Sequence, residues 1–270
     1  MTNPLTILVN DFLKFYDEHK HESELNNLTD FILLNALRAR GYNNWQKPED
    51  TGEVYFINEI LAKTQPKLCI DVGAHYGEYS IELLKLTTAR VVAFEPLPTS
   101  FNKLKQNTIE FSERIKLESA GVGAIEEESV FHYNPSASDQ ASFSTEIKEV
   151  NYVNNEHKIT VPVTTLDSYF EKNNITEVDL IKIDVEGFES EVFAGAIRVL
   201  TEVRPRFIQI EFNWHQLFRN TSLYYFAKQL YGYDTYQLLP RGWIKRDPKD
   251  PLSNIFYFSN FVFVRIDDVS

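Results

Sequence analysis

Five acidic side chains and one histidine sit at or just past the ends of apolar runs: Asp71, Glu95, Asp184, Glu186, Glu211 and His215. A carboxylate held at the mouth of a buried strand can pair with a cation, accept from a sugar hydroxyl or take up a proton. In CIDVGAHYGEYS, Asp71 is followed by Gly73 and Gly77, which lack a Cβ, so the main chain can turn sharply and bring its N–H groups toward a ligand. A plain strand-to-helix turn would use the same glycines. Glu95 tips the reading toward a ligand, because it ends VVAFEP 24 residues after Asp71, near the about 20-residue spacing at which an acid reaches a ribose hydroxyl pair. A dinucleotide site would want G-x-G-x-x-G to cradle a pyrophosphate, and that fingerprint is missing. The expected ligand therefore has a ribose, no pyrophosphate and a cationic amino group for Asp71. S-adenosylmethionine meets all three conditions.

A second group of acids follows. DLIKIDVEGFESEVFAGA places Asp184 and Glu186 two apart at the end of an apolar run, on one face if strand geometry persists. RFIQIEFNWHQLF ends in the same way on Glu211, with His215 four residues later. Oxygen ligands from two adjacent strand ends, Asp184 and Glu211, suit a hard cation such as Mg2+ rather than zinc. Glu186 and His215 are candidate proton acceptors. For Glu189 and Glu191 helix capping is the plainer account, and a lone histidine is more often a packing residue.

The elements that must hold these groups are legible in the hydropathy pattern. LCIDV, RVVAFEP, RIKLESAGV, DLIKIDV and RFIQIEF are nearly continuous apolar runs, the signature of strands buried on both faces. They alternate with helical patterns such as TSFNKLKQNTIEF and ESEVFAGAIRVL, which predicts a Rossmann-like parallel sheet covered by helices on both faces. YDTYQLL and NFVFVRI add two strands without a crossover helix between them, so an antiparallel edge hairpin is expected. Residues 1–53 read as an N-terminal helical extension, with FILLNALRAR stopped by Gly41, and residues 54–270 as the catalytic domain. A polar and aromatic stretch, residues 129–163, interrupts the rhythm and ends near a further strand, KITVPVTTL.

Composition narrows the function classes. The chain has 270 residues, is 43% hydrophobic and 24% charged, and is long enough to bury a sizeable core. A single cysteine, Cys69, rules out an internal disulfide and a thiolate metal cluster. The net charge of −12, without a Lys/Arg-dense run, argues against a nucleic-acid partner, whose phosphates would need neutralising. No run of about 18 apolar residues is present for membrane insertion, and the charged first twenty residues do not read as a signal peptide. A cytoplasmic location is the expectation.

Four segments together resemble the FkbM family of S-adenosylmethionine-dependent methyltransferases: CIDVGAHYGEYS, VVAFEPLPTSFNKLKQN, TTLDSYF and DLIKIDVEGFESEVFAGAIRVL. The resemblance implies a class I methyltransferase fold, a seven-stranded, mostly parallel sheet with an antiparallel C-terminal strand. It implies O-methylation of a hydroxyl or carboxylate of a secondary metabolite, sugar, glycan or modified peptide. By position in the motifs, Asp71, Gly73, Ala74 and Gly77 would contact the methionine portion of the methyl donor. Glu95, with Pro96 after it, would contact the ribose, and Ser119, Ala120 and Gly121 the adenine. Asp184 and Glu186 would lie at the reacting centre. His75 stands where the family often has asparagine. Asp139, Gln140, Ser142 and Phe143 are candidate acceptor-binding residues, and the N-terminal helices are a candidate surface for a homodimer. An NAD-binding oxidoreductase and a noncatalytic S-adenosylmethionine-binding domain are the competing readings.

Overall fold

The computed structural model describes residues 3–47 and 49–266. Eight strands form the main sheet: β1 (Leu68–Val72), β2 (Arg90–Phe94), β3 (Ile115–Glu118), β7 (Leu180–Ile183), β8 (Phe207–Phe212), β9 (Tyr233–Leu239), β10 (Gly242–Arg246) and β11 (Ser259–Arg265). Their order is β10-β9-β11-β8-β7-β1-β2-β3. The five strands from β3 to β8 are parallel, and β11 runs antiparallel between β8 and β9. The chain builds outward from β1 through β2 to β3, then returns to add β7 on the other side of β1. The crevice beyond the carboxyl ends of β1 and β7 is therefore the topological switch point at which such sheets bind ligands.

Alternate residues of the central strands face opposite ways into two apolar layers. Ile70, Val92, Ile181 and Ile208 join one core, and Cys69, Val91, Leu180 and Phe207 the other. Both faces are covered, which is why these strands read as unbroken apolar runs. One row is polar despite this: Asp71, Lys182 and Gln209 stand side by side in register across β1, β7 and β8, all buried.

Four details differ from the sequence expectation. The sheet has eight strands rather than seven, because GWIKR forms the outer edge strand β10. Its charged Lys245 and Arg246 suit an edge and hid it from a search for apolar runs. NFVFVRI is an inner strand, not part of an edge hairpin, because its apolar run, residues 261–264, is buried between β8 and β9. RIKLESAGV is split: β3 ends at Glu118, and β4 (Gly121–Val122) joins β5 (Glu127–Tyr133) and β6 (His157–Thr164) in a separate sheet of order β4-β6-β5. The stretch 129–163 begins inside β5, a strand the hydropathy pattern does not predict, whereas the strand expected at KITVPVTTL is β6 and only the part between them is irregular.

Helices α4 (Glu78–Leu86), α5 (Pro98–Asn107), α6 (Leu166–Lys172) and α7 (Glu189–Ala194) connect the strands, and α8 (His215–Phe218) and α9 (Leu223–Ala227) follow β8. Ahead of the sheet come α1 (Pro4–His19), α2 (Ser23–Ala39) and α3 (Glu53–Tyr55), the last continuing helically to Thr64. Leu8, Phe12 and Phe15 of α1 and Phe31 of α2 are exposed. Tyr42, which follows α2, is fully buried, with its hydroxyl donating to the Leu252 carbonyl (2.8 Å). Among the described residues no helix is long and apolar enough to cross a membrane.

Candidate active site

A cavity of about 280 Å³ opens at the switch point. Its wall is drawn from the loops after β1, β2, β3 and β7, from α3 and α4, and from the segment between β5 and β6.

The glycine loop after β1 is shaped by packing against its neighbours. Gly73 has φ +85°, and a Cβ there would stand 1.8 Å from the Asp184 carbonyl oxygen, so the loops after β1 and β7 touch backbone to backbone. Gly77 (φ +93°) precedes α4 and would press a Cβ to 2.7 Å from Leu104. The loop N–H groups expected to face a ligand are mostly spent inside the fold. Those of Gly73 and Ala74 bond the Phe94 carbonyl (3.1 and 2.9 Å), that of Gly77 bonds the Ala74 carbonyl (2.8 Å), and that of His75 bonds Glu95 (2.9 Å).

Glu95 is buried at the cavity wall beside Pro96. Its carboxylate accepts from the N–H groups of His75 and Leu97 (2.9 and 2.7 Å), yet burial outweighs these bonds and pushes its pKa up to about 8. Ala120 and Gly121 line the cavity, whereas Ser119 is exposed outside it. Asp71 is not on the wall. It lies behind, fully buried, accepting from the Ser80 hydroxyl (2.6 Å) and 3.9 Å from the Lys182 ammonium. Burial raises its carboxyl and Lys182 opposes the rise. Lys182 itself lines the cavity and donates to Asp184 (2.9 Å).

Beyond β7 the chain turns at Glu186, a non-glycine residue at φ +52°, so the strand geometry that would put Asp184 and Glu186 on one face does not persist. They converge nonetheless, both lining the cavity, and Glu211 joins them: one oxygen from each of the three carboxylates lies within 4.8 Å of the others. Glu211 does not line the cavity. It accepts from the Asn213 amide (2.6 Å), and burial, with Asp184 and Glu186 adding to it, drives its pKa well up. His215 is buried, its Nδ1 3.0 Å from Glu186, and neither ring nitrogen makes a well-aligned hydrogen bond among the described residues. Burial alone would lower the imidazole pKa, but Glu186 beside it turns the net shift upward. Burial likewise raises Glu186, with His215 opposing. Glu189 holds this turn from behind, accepting from the N–H groups of Val185 and Gly187 (3.2 Å each) and from the Gln216 amide (2.8 Å).

The segment between β5 and β6 covers the cavity. Asp139 and Phe143 line it together with Phe131, Ser138 and Ala141; Gln140 and Ser142 do not. Ser142 is fully buried and donates to the Glu186 carbonyl (2.7 Å), tying the cover to the β7 turn. Gln140 is held through its main chain, its carbonyl accepting from the Asn155 amide (2.6 Å) and its N–H donating to the Ala137 carbonyl (3.2 Å). A second tie reaches the glycine loop, where Ser138 Oγ sits 3.0 Å from His75 Nε2 and 2.8 Å from the Tyr76 hydroxyl.

Sequence reasoning missed Lys182, Tyr79 and Glu53. A lysine in the otherwise apolar run DLIKIDV was a readable signal, since a buried ammonium demands carboxylates beside it. Tyr79 and Glu53 carry no such signal, because their shared partner, Gln209, is 130 and 156 residues away.

Comparison with known proteins points the same way as this geometry. A family model described as the methyltransferase FkbM domain matches residues 71–235. The 2-O-methyltransferase NoeI of Sinorhizobium fredii is 26% identical over 184 residues, covering 64% of this chain and 74% of the relative. The hexuronic acid methyltransferase AglP of Haloferax volcanii is 25% identical over 167 residues, covering 62% of this chain and 65% of the relative. Among solved structures, precorrin-6y C5,15-methyltransferase of Geobacter metallireducens superimposes with a TM-score of 0.44 at 12% identity, covering 82% of this chain and 90% of the other.

Proposed function

The chain belongs to the FkbM methyltransferase family and is an S-adenosylmethionine-dependent methyltransferase; from that premise we propose that it methylates a hydroxyl group of a sugar or glycan, with Glu186 and His215 as the proton-accepting pair. The competing oxidoreductase reading falls with the family assignment. The observation that carries the proposal is the meeting, in one cavity wall, of Glu95 with Asp184 and Glu186, which Glu211 and His215 back from behind. The sugar acceptor is suggested by two relatives, one named for 2-O-methylation and the other for a hexuronic acid.

The wall suits the methyl donor: Glu95 offers carboxylate lone pairs for a ribose, and Ala120 and Gly121 line the wall beside it, with the Phe143 ring packed on Gly121. When bound, S-adenosylmethionine supplies an electrophilic methyl group on a sulfonium. This chain has two remaining tasks, to orient the acceptor oxygen in line with that methyl and to take its proton. A sugar hydroxyl is too weakly acidic to ionise unaided, so a base within reach is required. Glu186 faces the cavity, and the proton it takes can be shared with the His215 imidazole 3.0 Å behind it. Phe143 and Phe131 would face the apolar side of a sugar ring, with Asp139 accepting from its hydroxyls.

Asp184, Glu186 and Glu211 also fit a hard divalent cation such as Mg2+, being an all-oxygen set. Asp184 is paired with Lys182 and Glu186 with His215, which among the described residues leaves Glu211 with a neutral amide alone. A cation there would lower the pKa of an acceptor hydroxyl beside it. The test is methyl transfer from labelled S-adenosylmethionine to a panel of hexoses, hexuronic acids and oligosaccharides, with and without Mg2+. Label on a sugar oxygen supports the proposal. Transfer confined to sugar-free acceptors refutes it.

A further inference from the structure

One acid on the cavity wall has no part in the scheme above. Glu53 comes from α3, outside the segment matched by the family model. Its carboxylate accepts from the Thr51 hydroxyl (3.2 Å) and the Gln209 amide (2.9 Å), both neutral donors. Gln209 is locked in turn, its oxygen accepting from the Tyr79 hydroxyl (2.6 Å). The carboxylate is therefore aimed by three elements, α3, α4 and β8.

The other acids of the wall are otherwise engaged. Asp184 has Lys182, Glu186 has His215, and Glu95 has two backbone N–H groups. Glu78 and Asp139 are exposed to water, and Glu82 pairs with Lys85 on the surface of α4. Among the described residues no lysine, arginine or histidine pairs with Glu53, while Lys182 and Asp184 act on it through space with opposite sign. A partly buried carboxylate, rigidly held by neutral donors in a cavity wall, is matched by a ligand cation that can donate hydrogen bonds.

Resting on the methyl-donor reading above, we propose that Glu53 receives the α-ammonium group of S-adenosylmethionine. The sequence reserved this role for Asp71. Asp71 cannot fill it directly, because it stands behind the wall and is occupied by Ser80 and Lys182. Glu53 lines the cavity together with Lys182, and so sets how the amino-acid tail lies and where the reacting methyl points.

Calorimetric titration of the full chain tests this with three ligands. S-adenosylhomocysteine carries the amino-acid tail but no sulfonium, which separates the ammonium from the donor's other cation. Its deaminated analogue lacks only the α-amino group, and 5′-methylthioadenosine lacks the whole tail. Glu53→Gln is expected to weaken S-adenosylhomocysteine about tenfold or more and to leave methylthioadenosine within about twofold. On the parent protein deamination should cost a similar factor, and on Glu53→Gln it should cost almost nothing more. Unchanged affinity for S-adenosylhomocysteine in the variant overturns the proposal, as does equal weakening of all three ligands. Should the variant not fold, equal affinity of the parent for S-adenosylhomocysteine and its deaminated analogue overturns it as well. A parent that binds none of the three fails the methyl-donor reading itself, and this inference falls with it.

Discussion

Replacing Lys182 with methionine keeps the aliphatic stem against the Tyr79 ring and removes one buried charge. The ammonium lies 2.9 Å from Asp184 and 3.9 Å from Asp71, on a side chain only 7% exposed. At an effective dielectric of about 20 these separations correspond to attractions of roughly 6 and roughly 4 kcal/mol, much of which desolvation takes back. Removing one member of a buried pair costs about 3–5 kcal/mol, because the partner stays buried without a counter-charge. For a chain of this size about 1 kcal/mol moves the melting midpoint by about 2–4 °C, so Lys182→Met should melt about 6–20 °C below the parent. The loss should also depend on pH. Burial already raises the Asp71 carboxyl against the pull of Lys182, so without Lys182 it rises further. An acid whose folded pKa exceeds its unfolded pKa adds stability below the unfolded value and loses it as pH climbs through the folded one. The deficit of the variant should therefore be widest near about pH 8 and should narrow toward about pH 5. Urea midpoints of both proteins at the two pH values provide the assay. Equal midpoints at the higher pH, or a deficit that does not shrink on acidification, would refute the assignment of Lys182 as the counter-ion of this row.

Gly73→Ala would force a side chain into φ +85° and against the Asp184 carbonyl, so it should destabilise by more than the about 1–3 kcal/mol of backbone strain alone; a melting midpoint equal to the parent's would contradict the contact between the two loops. Glu186→Gln should lower turnover about 10²–10⁴-fold with little change in S-adenosylhomocysteine affinity, and unchanged turnover would remove Glu186 as the base. Phe143→Ala deletes a ring 4.6 Å from Phe131 and 5.2 Å from Phe188, and should raise KM for a sugar acceptor; an unchanged KM would remove this ring from the acceptor pocket. Chelation should slow transfer and added Mg2+ restore it; a rate indifferent to both would leave the three carboxylates as a proton store alone.

The layered architecture was readable because the central strands are buried on both faces and therefore spelled as unbroken apolar runs, LCIDV and DLIKI among them. Strand ends marked by Asp71, Glu95, Asp184 and Glu211 were readable for the complementary reason, since an acid cannot continue such a run without a partner. The edge strand β10 escaped because an edge is half solvated and looks like a loop. Within the cavity, local spelling misjudged roles more than positions. It placed Asp71 against the ligand, Ser142 in the acceptor pocket and the glycine N–H groups toward the cofactor, whereas each is consumed by a contact inside the fold.

What the sequence determined by itself was the class of sheet, the family and the acids at the strand ends, because these follow from periodicity and from short motifs. Only the tertiary structure decided which of those acids face the cavity. That choice depends on partners far apart in the chain, Lys182 drawing Asp71 and Asp184 to one ammonium across two strands, and Gln209 on β8 holding Glu53 from a helix 156 residues earlier. Burial, not residue type, separates a carboxylate that meets a ligand from one that holds up the wall.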